Sequence, residues 1–547
     1  MILPRVKEIK CSGGRFSRQI TLEKCAEMPE NAKFWLEKLC PQTEIFENSD
    51  ATLFFEHSSV MAAGEYRLSV TEERILVTYG DDEGARCAIA TLSFLIHEDG
   101  IECAEIYDRP DNAFRACLID LARGYVEMPE LLEHIARMAK LKYNVLHLHL
   151  MDRQSYALES DVVPNPDGHR LYSKDDMREL VVFATRLGLE VIPEIEFPAH
   201  AVNQIKAIPS LACELVDKRA AIERVCRVTE PRKLEFIDRE RAVSAWAVCL
   251  GNENTYEIYE RIIAELCEIF PGKYFHTGGD EFEFARFAAH PHWDNCKRCR
   301  ERMEALGTDN TRALYYYGLR RLYDILAKRG KRMAIWNDQL DVWNEIDIPK
   351  DVLVYFWRYD LITKEKGVFK ALLDQGFECV NAHYKYTYFD EQDHMQDSKI
   401  GKWNTHTENL GEPAVEGNIF GGILSAWSLG DKIYPHNRYV FPPAAVLFSD
   451  RVWNNEPCEY DATYRRAVYA AVSGDNDSEI DPYGFFNEIL PPRNSRSKCL
   501  VEDVDLELID ASALGAAISA LSSAKSFYGK IAVSELLRCL EMIKSSL

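Results

Sequence analysis

The sequence predicts an α/β chain built as a (β/α)8 TIM barrel, with an N-terminal α/β accessory domain and a C-terminal helical extension. Three observations lead there. From Phe114 onward, short apolar strands alternate with amphipathic helices; the turn-forming run Asp108-Arg109-Pro110-Asp111 sets off a smaller unit before them; and beyond roughly Glu456 the strands stop. The implied divisions are residues 1–110, 111–455 and 456–547. A chain of 547 residues exceeds one ordinary domain, and an apolar share of 47% is ample for a sizeable core.

In the first unit, Tyr66–Val70 and Ile75–Tyr79 read as the arms of a hairpin around Thr71-Glu72-Glu73-Arg74. Ala85, Ala88, Ile89 and Leu92 then fall at i, i+3, i+4 and i+7, the spacing of one helix face. The strand candidates of the second unit are Ala116–Leu121, Asn144–Leu150, Glu190–Ile195, Tyr274–His276, Met333–Trp336, Val352–Trp357, Phe377–Val380 and Gly422–Trp427. Helical stretches lie between them at Glu130–Leu141, Asp175–Leu187, Glu257–Ile269 and Thr311–Lys328. The second of these is the best marked: Ser173 can cap it, Met177, Leu180, Val181, Ala184 and Leu187 form its buried stripe, and Gly188 can close it. Such units repeated within about 340 residues fit a closed barrel with long loops, although a doubly wound open sheet alternates in the same way. In the tail, Leu514, Ala517, Ile518, Leu521 and Ala524 keep helical spacing within Ser512–Phe527, and Ser534–Ile543 continues in that style. This extension is expected to pack on the barrel and to carry no chemistry.

Acidic residues outnumber basic ones by 88 to 65, for a formal charge of −23. That balance argues against nucleic acid or an anionic membrane as partner and suits a neutral substrate. No apolar run reaches about 18 residues, and Met1–Gly14 has no continuous apolar h-region, so a cytoplasmic location is expected. The sixteen Cys residues show no regular framework and fit reduced thiols better than a disulfide scaffold. His290-x-His292 followed by Cys296-Lys-Arg-Cys299 could hold structural zinc, but a second Cys pair at strong spacing is missing. Free thiols are therefore the default reading, and neither a cofactor nor a metal is expected. A homo-oligomer is compatible with the sequence but not specified by it.

The segment that carries chemistry is Tyr274-Phe275-His276-Thr277-Gly278-Gly279-Asp280-Glu281. An apolar strand runs into two glycines and two adjacent carboxylates, at what would be the C-terminal mouth of a barrel strand, where catalytic residues collect. The glycines let the backbone bend so that both carboxylates aim into one pocket. Neighbouring carboxylates push their pKa values apart, so one can stay protonated as an acid. A bare Asp-Glu pair would read as a solvated turn; here the His, Thr and Gly residues after a strand favour a site. From the residues alone, His147-x-His149 with Asp152 and His200 could instead mark a metal-dependent hydrolase, and a sugar-binding protein without turnover is a third class.

The segment resembles glycoside hydrolase family 20, the β-N-acetylhexosaminidases, whose hallmark is His-x-Gly-Gly-Asp-Glu at the end of the fourth barrel strand. Further motifs fall in the family's order: Phe114-Arg115 through Asp120-Leu121-Ala122-Arg123, His147-Leu148-His149-Leu150-Met151-Asp152, and Val191-Ile192-Pro193-Glu194-Ile195-Glu196-Phe197-Pro198-Ala199-His200-Ala201. Trp336-Asn337-Asp338, Trp357, Tyr388-Phe389-Asp390 and Trp427 follow. The likeness spans about residues 60 to 450 and includes the accessory domain. It implies a retaining, exo-acting hydrolase of terminal β-linked N-acetylhexosamines, in which the substrate's own acetamide forms an oxazolinium intermediate. It further implies that Glu281 is the acid/base, that Asp280 orients the acetamide and that Tyr388 donates to its oxygen. Arg115 would grip sugar hydroxyls, Trp336, Trp357 and Trp427 would wall the pocket, and Asp152 and His200 would orient the acid. His276 and Asp390 complete the expected substrate-binding set. One position departs from the family pattern: Leu429, in Trp427-Ser428-Leu429-Gly430-Asp431, stands where a Glu commonly binds far-side hydroxyls. Gluco, galacto and C6-modified sugars are therefore not separated by sequence, and Asp431 is the alternative acceptor.

Overall fold

The computed structural model describes residues 1–23, 26–47, 50–216, 246–282, 292–358, 366–389, 400–427 and 434–473, together with Gly515 and Ile518. Eight parallel strands form a closed ring: Phe114–Asp120, Val145–His149, Glu190–Phe197, Tyr274–Gly278, Arg332–Trp336, Leu353–Phe356, Glu378–Asn381 and Ile419–Ala426. Closure comes at the eighth strand, where Gly422 pairs with Arg115 on one side and Asn381 on the other. The open doubly wound sheet is thereby excluded, and each predicted strand has its counterpart within a few residues.

Strands buried on both faces need apolar residues at nearly every position, and these read that way. Phe114, Ala116, Leu118, Val145, Ile192, Leu353, Tyr355, Val380 and Ile423 fill the barrel interior. The alternate residues, such as Cys117, Leu146, Leu148, Val191 and Val354, belong to the larger core outside the barrel. The outer helices include Met128–Lys140, Lys174–Arg186, Glu253–Ile269 and Thr311–Ala327. Lys174–Arg186 begins at a capping box between Ser173 and Asp176 and ends at Gly188, whose φ of 76° is cheap only for glycine. One unit departs from the regular alternation. Between the fifth and sixth strands the chain makes turns and no helix, as Asp338, Asp341, Asn344, Asp347 and Pro349 favour.

The accessory domain is a mixed sheet in the order Glu8–Phe16, Gly100–Asp108, Tyr66–Val70, Ile75–Tyr79 and Leu53–His57, with Ile96–His97 paired to the second of these. The expected hairpin is present, with Val70 opposite Ile75. The expected helix spans Asp82–Leu92 and is capped by the Asp81 side chain. This domain shares one continuous core with the outside of the barrel. Asp108 is the joint: its carboxylate accepts from Lys142 Nζ at 2.7 Å, Tyr66 OH at 2.7 Å and Trp453 Nε1 at 2.9 Å. Arg86 adds hydrogen bonds to the carbonyls of Ala139 and Tyr143.

The helices expected at Ser512–Phe527 and Ser534–Ile543 lie outside the described residues except for Gly515 and Ile518, both helical, and Ile518 packs on the main core. Among the described residues, no helix is long and apolar enough to cross a membrane.

The joint is testable. Lys142 and Asp108 are both fully buried, so Lys142→Met leaves a sealed carboxylate without its cation. The expected loss is about 3–5 kcal/mol of stability, read as a lower urea midpoint; an unchanged midpoint would show that the pair does not brace the two domains.

Candidate active site

The floor of the site is Glu194, from the third strand and fully buried. Its carboxylate meets His147 Nε2 at 3.0 Å and His149 Nδ1 at 2.8 Å from the second strand, and His276 Nδ1 at 2.9 Å from the fourth. Trp336 Nε1, from the fifth, donates to it at 2.6 Å. Burial by itself would raise this carboxyl, but His276, His149 and His147 hold it well below the usual carboxylate range. Burial pushes His147 down to about 4, so that ring is neutral. His149 goes the other way: burial opposes its charge, yet Glu194 and Asp152 raise it well above the ordinary histidine value.

A chain of contacts rises from this floor. His149 Nε2 lies 3.1 Å from Asp152 Oδ2, Arg123 also pairs with Asp152, and Asp152 Oδ1 lies 3.3 Å from His200 Nδ1. The far nitrogen of His200 reaches Glu281 Oε2 at 3.3 Å and Asp280 Oδ2 at 3.6 Å. Burial opposes charge on His200 as well, but Asp152, Glu196 and Asp280 outweigh it and raise its pKa well above the ordinary value. An imidazolium therefore sits between the buried relay and the two carboxylates.

Asp280 and Glu281 follow directly from the fourth strand and retain 15% and 17% of their side-chain exposure. Gly278 and Gly279 have φ of 68° and 97°, and a Cβ at Gly278 would overlap the Glu196 carboxylate. Glu281 itself is held at φ 48°, a strained angle for a side-chain-bearing residue. Its backbone is pinned on both sides, the N–H by Asp338 Oδ2 at 3.0 Å and the carbonyl by Trp246 Nε1 at 2.8 Å. Tyr315 OH donates to the Gly279 carbonyl at 2.7 Å. The two carboxyls are split electrostatically, as the sequence leads one to expect, but the order is reversed in the free site. Burial, then Asp338 and Glu281, outweigh His200 and push Asp280 up to about 7. Burial also works against charge on Glu281, but His200, Arg358 and Arg123 pull it below the usual range. The reason is placement: Arg358 Nη1 lies 3.3 Å from Glu281 Oε1.

Aromatic rings line the site. Trp357 donates its Nε1 to Asp338 Oδ1 at 2.9 Å and stacks parallel to Tyr388, with centroids 5.6 Å apart. Tyr388 meets Trp427 at 5.8 Å, and Trp427 meets Trp336 at the same distance. Tyr388 arrives on a two-residue strand laid against the eighth, opposite Ser425. Burial, reinforced by Asp280, raises the Tyr388 hydroxyl well above its ordinary pKa, so it remains a hydrogen-bond donor.

Of the expected site residues, the structure brings together Asp280, Glu281, Tyr388, Asp152, His200, His276, Trp336, Trp357 and Trp427. Arg115 is a correction. It lies at the start of the first strand, at the far end of the barrel, where its guanidinium pairs with Glu83 and donates to the carbonyls of Lys142 and Asn112. The arginine that this part of the chain brings to the mouth is Arg123, with its guanidinium over the Trp427 ring. Asp390, Leu429, Asp431 and His290 lie outside the described residues, as does the side chain of His292. Glu194, Glu196, Trp246, Asp338 and Arg358 were not singled out as site residues. For the two glutamates a signal existed, since two acids two residues apart inside an apolar barrel strand share one face. Several histidine–carboxylate groups here are close enough to hold a cation. His149, however, already spends both ring nitrogens on Glu194 and Asp152, so the suspected metal set of His147, His149 and Asp152 is a buried hydrogen-bonded relay.

Adjacent carboxylates at the C-terminal mouth of a (β/α)8 barrel, flanked by indole rings, define a carbohydrate-cleaving class of enzyme. Residues 112–456, more than half of the chain, match the glycosyl hydrolase family 20 catalytic domain, and the chain belongs to that family of glycoside hydrolases. It is 25% identical over 393 residues to a β-hexosaminidase of Porphyromonas gingivalis, an alignment covering 68% of this chain but 44% of the relative. It is 26% identical over 419 residues to one of Akkermansia muciniphila, covering 71% and 79%. Among solved structures, the Vibrio harveyi family 20 exo-β-N-acetylglucosaminidase superposes with a TM-score of 0.70 at 21% identity, covering 86% of this chain and 76% of that one. A β-N-acetylhexosaminidase of Bacteroides fragilis gives 0.69 at 22%, covering 86% and 94%.

The strained turn yields a prediction. Gly278→Ala adds a Cβ where Glu196 and the positive φ leave no room. It should keep its circular dichroism spectrum while turnover falls on the order of 10²-fold through misplaced carboxylates; wild-type turnover would show that the turn does not aim them.

Proposed function

We propose that the chain is a retaining exo-β-N-acetylhexosaminidase whose nucleophile is the substrate's own 2-acetamido oxygen. The observation that carries this reading is the Asp280–Glu281 pair, split in proton affinity and set beside Tyr388, with Asp280 Oδ1 buried and without a hydrogen-bond partner among the described residues. The β-hexosaminidases it resembles support the substrate class.

In this mechanism the acetamide N–H donates to Asp280 and the acetamide oxygen accepts from Tyr388, which aims that oxygen at C1. Glu281 protonates the departing glycosidic oxygen as the C1–O bond breaks and the oxazolinium ring closes. Water then attacks C1 from the vacated face and gives its proton to Glu281, so configuration is retained. In the free site the shared proton rests on Asp280. An incoming N–H needs an acceptor there, so binding favours the Asp280 carboxylate and a protonated Glu281. His200 lies beside both groups, and Asp152, Glu196 and Asp280 favour its cation in the free site. Holding the nucleophile within the substrate is worth effective molarities of about 10⁵ M or more, which leaves the protein to fix geometry. Trp336, Trp357 and Trp427 keep water from the forming ring.

Acetamide dependence tests the reading. An aryl β-N-acetylglucosaminide should be cleaved while the plain aryl β-glucoside is inert, and a thiazoline mimic of the oxazolinium should inhibit competitively. Trapping a sugar ester on Asp280 or Glu281 would overturn it.

The pH profile offers a second check. The Asp280 carboxyl, raised to about 7, is protonated below that pH and loses its proton as pH rises through it. The pair therefore carries one proton below about pH 7 and none above, and kcat/KM should fall above about 7. In Asp280→Asn the residual activity should lose this limb; an unchanged limb would assign it to another group.

A further inference from the structure

Away from the catalytic mouth, four cysteines converge from separate parts of the sequence. Cys213 and Cys249 lie in the connection between the third strand and helix Glu253–Ile269; Cys296 stands at the N-cap of helix Lys297–Ala305, after the fourth strand, and Cys299 sits in its first turn. Their sulfurs are all within 4.8 Å of one another. Cys249 Sγ lies 3.7 Å from Cys296 Sγ and 3.6 Å from Cys299 Sγ, and Cys213 Sγ lies 3.9 Å from Cys299 Sγ. Three of the residues are fully buried and Cys213 is 8% exposed.

These separations are informative. A disulfide would draw two sulfurs to about 2.05 Å and turn them from the rest, whereas Cys249 is almost equidistant from two partners. Four thiolates around a zinc ion with Zn–S bonds of about 2.3 Å form a tetrahedron whose edges are about 3.8 Å, the spacing seen here. Burying four thiols against one another brings weak hydrogen bonds, while a divalent cation would let all four ionise and offset their repulsion. The backbone is shaped for the cluster. Leu215 bridges to Cys296, Val216 N donates to the Asn295 carbonyl at 2.9 Å, and a Cβ on Gly251 would overlap the Arg298 carbonyl.

The geometry points to a structural zinc site with four cysteine ligands, Cys213, Cys249, Cys296 and Cys299. This replaces the expectation of free thiols, which rested on seeing one Cys pair at metal spacing; the other two ligands are too far apart in sequence to register as a pair. The site clamps the loop after the third strand to the segment after the fourth. Both lead to the acid: Trp246, three residues before Cys249, donates to the Glu281 carbonyl, and its ring lies 4.8 Å from His200. On the other side, Trp293 Nε1 donates to the Val248 carbonyl at 3.0 Å and its ring packs on Phe282 at 5.3 Å. Zinc thus acts as a positioning element for Glu281 and takes no part in bond cleavage.

The test is elemental analysis of the full-length protein, purified without chelator or added metal. One zinc per chain is expected. In cobalt-grown protein, the intense visible bands of tetrahedral cobalt thiolate should appear, and four thiols should resist a thiol reagent until the metal is removed. The double variant Cys296→Ser/Cys299→Ser should lose the metal and drop in Tm by more than about 5 °C; if it fails to fold, the wild-type zinc content and cobalt spectrum decide alone. Metal-free protein, iron in place of zinc, or disulfides among these four cysteines would each overturn the proposal.

Discussion

Glu194 is a carboxylate sealed inside an otherwise apolar barrel, and a charge in that position persists only if it is fully paired. The pairing is supplied from three strands at once, by His147, His149, His276 and Trp336. His147, His149 and Trp336 are oriented by their hydrogen bonds to it, and His276 is set in place by the Gly278 N–H that donates to its Nδ1. His149 then presents its other nitrogen to Asp152, Asp152 turns to His200, and His200 reaches the two reactive carboxylates. The mouth of the site is therefore aligned from the floor of the barrel, and no loop has to place the acid unaided.

The same cluster explains why two adjacent carboxyls differ so much. Seven acids, Asp120, Asp152, Glu194, Glu196, Asp280, Glu281 and Asp338, crowd a region where His149, His200, Arg123 and Arg358 supply the cations. Those cations are not shared evenly. Arg358 is divided between Glu281 and Asp338, Arg123 between Asp152 and Asp120, and His200 lies nearer Glu281, so among the described residues Asp280 has only the longer contact to His200. Glu196 is raised well above the usual range by burial and by Asp280. A proton is thus stored within reach of the acid before any sugar arrives.

Much of this was legible in the sequence because it obeys short-range rules. Strand alternation, the Ser173 cap and the two glycines before Asp280 each declare themselves within a few residues, and the carboxylate pair follows from them. What could not be read depends on distance in the fold. One misplacement was avoidable: Arg115 stands at the start of the first strand and Arg123 just past its end, so the rule that sites collect at C-terminal strand ends already favours Arg123. Trp246 and Arg358 sit in connections without periodicity, and their roles exist only because Glu281 comes to lie beside them. Trp336, expected as a pocket wall, is also a filled position of the barrel interior whose indole N–H holds Glu194.

The short strand carrying Tyr388 has a consequence for how the pocket can vary. Tyr388 and Phe389 are laid against Ser425 and Ala426, and Trp427 follows directly where that strand ends, so two walls of the pocket are anchored at one short strand pairing. Tyr388 is also stacked flat on Trp357. The ring stack and the strand pairing tie these residues to one another, so this wall shifts as a block. Under the proposed function, room for N-acyl groups longer than acetyl would have to come from shifting this frame, because trimming one side chain leaves the rest of the stack in place.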